Sequence, residues 1–92
     1  MQNAGDIYQR SKNFSVRIIR MFTSLPHTRV ADVIGNQLLR SATSVGAHIR
    51  EGKRSRSDAE LISKAEGALM ELEESVYWME LLIDSEIFTK ER

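Results

Sequence analysis

The densest chemistry in this sequence is positive. Arg50, Lys53, Arg54 and Arg56 set four cations within seven residues. A guanidinium is planar, always charged and shaped to match phosphate oxygens. A loop carrying these side chains is therefore a candidate phosphate-binding loop. Its affinity for duplex DNA would fall with salt at a log–log slope of about −0.9 per phosphate contacted. Two plainer roles compete with this one. Cations near a helix C-terminus complement its dipole, and a charged turn is simply well solvated. No aromatic residue interleaves with the cluster in sequence, so base stacking is not expected.

The acidic chemistry is arranged differently. Glu66, Glu73 and Glu80 recur every seven residues. General acid–base catalysis needs carboxylates converging on a cleft, and a row along one helix does not converge. Rows of opposite charge at the edges of an apolar seam instead set how helices pair. Arg10 and Arg17 flank the seam of the first helix and are the expected partners, within the chain or between subunits. His27 and His48 lie far apart, with no cysteine anywhere, so no metal site is expected. Tyr77 and Trp78 fall outside the seam and are read as a second contact surface rather than a ligand box. No glycine-rich phosphate loop, nucleophile elbow or zinc-binding helix motif occurs. The expectation is a non-enzyme without cofactors.

Elements must hold these groups in place, and the composition says which kind. One proline and five glycines in 92 residues favour long helices. A chain of this length makes a single domain, residues 1–92, with a limited core. Without disulfides or metal, packing or oligomerisation must supply the rest of its stability. The zero net charge hides a split. Residues 1–56 carry ten basic and three acidic side chains, a balance of +7, and residues 57–92 carry the opposite, −7. No apolar run approaches the ~20 residues of a membrane span. The N-terminus lacks the apolar stretch of a signal peptide. The expected setting is cytoplasmic, without a membrane partner.

Three helices are predicted. The first runs from about Ile7 to Leu25, with Asp6 and Gln9 as a capping box and Ile7, Ser11, Phe14, Ile18, Met21 and Leu25 on one face. The second runs from about Arg29 to Glu51 with Thr28 as N-cap. Its expected apolar face is Val30, Val33, Ile34, Leu38, Val45 and Ile49. The small residues Ser41–Ala47 invite close approach of another helix or a kink near Gly46, and Gly52 suits a left-handed helix end. The third runs from Ser57 to Ile83, opened by the capping box Ser57–Glu60, and spans about 40 Å. Its heptads place Ile62, Leu69, Val76 and Ile83 beside Ala65, Leu72 and Met79 as the seam, widened by Leu61, Ala68, Ser75 and Leu82. Ile87 and Phe88 are expected to plug the end of the bundle, and Thr89 could cap a further helix. The fold class is all-α, an antiparallel up-and-down helical bundle.

One string is more distinctive than the heptads. Gln37-Leu38-Leu39-Arg40-Ser41-Ala42-Thr43-Ser44-Val45-Gly46-Ala47-His48-Ile49-Arg50-Glu51-Gly52, followed by Lys53-Arg54-Ser55-Arg56-Ser57 and by Glu71-Leu72-Glu73-Glu74-Ser75, resembles a bacterial four-helix-bundle family. Its members are encoded in intervening sequences of 23S ribosomal RNA genes and elsewhere. The resemblance extends from about Ile7 to Phe88. It implies an antiparallel four-helix bundle assembled as a ring-shaped homopentamer, and kinship with the accessory protein of diversity-generating retroelements. That relative binds nucleic acid and associates with a reverse transcriptase. Ribosomal association is suggested for other members by gene location. Arg40, Arg50, Lys53, Arg54 and Arg56 match basic positions of the family and become the candidate nucleic-acid contacts. No catalytic residue carries over. His48 departs from the family's usual asparagine, and the fourth helix is missing, so the chain is read as a truncated member or one whose partner supplies that helix. The leading expectation is an oligomeric accessory protein binding RNA or DNA. The alternative is a purely structural oligomer whose +7 and −7 regions satisfy each other.

Overall fold

Local capping decides where two of the helices begin. The Thr28 hydroxyl accepts the Ala31 N–H at 3.2 Å, and the Ser57 hydroxyl accepts the Glu60 N–H at 3.1 Å. Each satisfies an amide that has no partner inside its own helix. A computed structural model describes residues 4–88. It contains α1 (Ala4–Thr23), α2 (Arg29–Gly52) and α3 (Asp58–Asp84), and no strand among the described residues. Thr89 lies outside them. Asp6 does not cap α1, which already begins at Ala4, so the carboxylate sits in the first turn. There it still complements the positive end of the helix.

The second helix is unbroken through Gly46. Gly52 does not adopt the left-handed conformation, since no glycine has positive φ. It is buried, and α2 ends in tightened turns, with Lys53 N–H donating to Arg50 O and Ser55 N–H to Gly52 O. The left-handed residue is Glu86, at φ 63°, just beyond α3. There the Ile87 and Phe88 amides both reach back to Leu82 O at 3.0 Å. Both side chains then pack against the core, as expected of an end plug.

The helix α2 is the centre of the molecule. Both α1 and α3 pack along it, while no Cα of α1 comes within 8 Å of a Cα of α3. With both outer helices on α2 and not on each other, the three form an open layer, 44 × 26 × 17 Å along its principal axes. The run of small residues makes this double contact possible. Ser41 and Ser75 are fully buried, and their hydroxyls meet at 2.8 Å between α2 and α3. On the other flank the Ser15 hydroxyl of α1 reaches Ala42 O at 3.5 Å. A Cβ at Gly35 would lie 2.9 Å from Leu25 Cδ1, so the turn between α1 and α2 folds over a missing side chain. The core is Ile18, Leu25, Ala31, Leu38, Ala42 and Leu82, with Phe14, Met21, Phe22 and Trp78 against it.

Two expected faces are corrected. On α2, Val30 and Val33 are exposed and Ala31 is buried in their place. On α3 the buried row is Ala68, Ser75 and Leu82, the row read as merely widening the stripe. The heptad seam lies open: Ile62 is 58% exposed, Leu69 56%, Val76 44% and Leu72 39%. The physical reason is fit. The second helix offers Ser41, Ala42 and Val45, and the small Ala68–Ser75 row lets α3 sit closer to it than leucines would.

Candidate nucleic-acid interface

The end of α2 and the start of α3 carry the basic cluster. Arg50 lies on the last turn of α2, Lys53 caps it, and Arg54 and Arg56 follow in the connection. All four are exposed, and none makes an ion pair among the described residues. The acid within this run is removed from competition. Glu51 accepts a hydrogen bond from Lys64 Nζ of α3 at 2.8 Å. That bond, and the charge behind it, hold the Glu51 carboxyl below its ordinary range. The turn thus presents four uncompensated cations from a chain of zero net charge.

Arg40 does not join them. It lies ten residues earlier on α2, about 15 Å along the axis. Its guanidinium pairs with Glu71 at 3.3 Å and with Glu74 across the α2–α3 contact. The Glu74 carboxyl also accepts the Trp78 indole N–H at 2.9 Å. The indole, then Arg40, hold Glu74 below the ordinary carboxylate value of 4.5. A depressed carboxyl contributes stability above its unfolded pKa and loses it as pH falls through the folded one. Thermal melts should therefore show a stability loss below pH 4.5 that is smaller in Glu74→Gln; identical acid limbs would show that the network contributes nothing.

The glutamate row does not meet the arginines expected of it. Glu66, Glu73 and Glu80 are exposed and make no ion pair among the described residues, because α1, with Arg10 and Arg17, packs on α2 and not on α3. On α2 it is Arg40 that is met, by Glu71 and Glu74, while Glu51 of α2 is held by Lys64 of α3. Between α1 and α3 runs an open trough of about 820 Å³. Arg10, Arg17 and Arg20 edge it on the α1 side, Phe14, Ile18 and Met21 form its floor, and Met79 and Phe88 close the α3 side. Met79 is the seam residue that reaches this opening, and Leu72 and Val76 lie exposed two turns and one turn before it on α3. Trp78 packs into the core, whereas Tyr77 is exposed with its ring centroid 5.1 Å from that of Trp78.

Sequence reasoning missed one member of the basic site. Tyr8 of α1 lies beneath Lys53, whose Nζ is 5.1 Å from the ring centroid. The two are far apart in sequence, and only the packing of α1 on α2 joins them. His27 is exposed, and the His48 ring packs on Gly67 of α3, where an added Cβ would approach it to 3.0 Å. Among the described residues no group of His, Cys, Asp and Glu could hold a metal ion, and no helix is long and apolar enough to cross a membrane.

These features define a class: an all-helical chain, with three helices among the described residues, one uncompensated basic end and one open apolar trough. The chain belongs to the 23S rRNA-intervening sequence protein family, whose model matches residues 4–92. It is also similar to a crystal structure of a protein of unknown function from the S23 ribosomal protein family of Bacteroides thetaiotaomicron VPI-5482. The two share 40% identity and a TM-score of 0.89, over 96% of this chain and 79% of that one. No curated protein matches.

Proposed function

We propose that this chain is a non-enzymatic, oligomeric accessory protein that binds RNA or DNA through Arg50, Lys53, Arg54 and Arg56. The observation carrying this reading is the exposed, unpaired state of all four cations while the nearby acid, Glu51, is held by Lys64. Arg40 is assigned to the subunit's internal α2–α3 contact rather than to nucleic acid. Kinship with the retroelement accessory protein, and with it a reverse-transcriptase or ribosomal partner, fits such a role, as does a cytoplasmic setting. Filter binding tests it. Wild type should retain single-stranded RNA and duplex DNA at low salt, and reversing the four charges to glutamate should abolish retention. Equal retention by the two proteins overturns the proposal.

The oligomeric part rests on the trough. It has a basic rim on α1, and the exposed Glu66, Glu73 and Glu80 recur along α3 beside the seam. A second copy laying its own acid-edged seam into the trough would bury apolar surface and meet arginine with glutamate. The four-helix bundle and homopentamer implied by the resemblance would cover the same surface. The purely structural alternative is favoured by this trough alone and predicts assembly without nucleic-acid binding.

A further inference from the structure

We infer that the cleft between Tyr8 and the turn from Lys53 to Asp58 is a one-nucleotide subsite for single-stranded nucleic acid, with the base on the Tyr8 ring and its phosphate on Lys53 and Arg56. This rests on the proposed nucleic-acid reading and narrows it. The cleft is about 470 Å³ and is lined by Tyr8, Gly52, Lys53, Ser55, Arg56 and Leu61, with Ser57 and Asp58 at the start of α3. It combines three things that a solvated turn does not need: an aromatic face, two cations without ion pairs among the described residues, and the Ser55 hydroxyl oxygen, buried with no hydrogen-bond partner there.

The arrangement has a polarity. Asp58 repels phosphate from the α3 end, which leaves phosphate to Lys53 and Arg56. Leu61 and Tyr8 offer an apolar wall and a ring face to the base. Lys53 covers that ring in the free protein. Its ammonium can move to the phosphate as the base takes its place, because base–aromatic stacking outweighs an exposed cation–π contact. A duplex keeps its bases stacked inside and offers the cleft only backbone, whereas a single strand can splay a base outward. The subsite therefore discriminates strand form, while the four cations alone do not.

Fluorescence anisotropy with a labelled twelve-nucleotide oligo(rA), and with a twelve-base-pair DNA duplex, tests this in the full chain. Tyr8→Ala should lower affinity for the single strand about tenfold, the scale of one lost stacking contact, and leave the duplex unchanged. Tyr8→Leu, which keeps apolar bulk without a π face, should match Tyr8→Ala, and Tyr8→Phe should match wild type. If wild type binds both probes and the Tyr8 variants bind as it does, or weaken both probes alike, the subsite is wrong and the basic turn stands. If wild type binds neither probe, both fall.

Discussion

Placing glutamate at both Leu69 and Val76 should convert the proposed oligomer to a monomer of 10.5 kDa without unfolding it. Both side chains are already about half exposed in the isolated subunit, so the substitution costs the subunit little. In the proposed oligomer the same positions would lie under another chain. Covering the exposed half of each side chain there stabilises by roughly 1 kcal/mol, about half the figure for full burial. Replacing them loses that and sets two new charges beside Glu66, Glu73 and Glu80. The check is molar mass by light scattering, with circular dichroism to confirm helix content. An unchanged mass would remove the α3 seam from the interface.

The second large effect lies in the core. Leu38 is fully buried between α1 and α3, among Ile18, Leu25, Ala42 and Leu82. Leu38→Ala should cost about 2–5 kcal/mol, transfer and cavity together. For a domain of this size that lowers the melting temperature by roughly 10–25 °C. Val33→Ala, on the exposed side of the same helix, should change it little. Comparable losses at the two positions would contradict the placing of α2 as the buried centre of the layer.

Some local features of this fold were legible in the sequence, although Asp6 as a cap and Gly52 as a left-handed helix end were not borne out. Thr28 and Ser57 cap their helices because an N-cap needs only a hydroxyl and the amide three residues on. The basic turn was equally readable, since its residues are neighbours. What failed was the choice of face on α3. This helix is apolar on more than one side, so periodicity cannot say which row meets α2. The answer lies in pairwise fit, Ser41 against Ser75, which no single helix contains. The pairing of Arg40 with Glu71 and Glu74, in place of Arg10 and Arg17 with the glutamate row, has the same origin: α3 neighbours α2 and not α1. Tyr8 was invisible as a site residue because α1 brings it to the turn from the other end of the chain.

The central claim, that the turn from Arg50 to Arg56 contacts phosphate, is tested most directly by salt. Affinity for a single-stranded RNA should be measured between about 50 and 200 mM salt, for wild type and for the chain with Arg50, Lys53, Arg54 and Arg56 changed to glutamine. Four lost contacts at about −0.7 each predict a log–log slope shallower by about 3 in the variant. The same slope in both proteins, or no binding by wild type at the lower salt, would contradict the account.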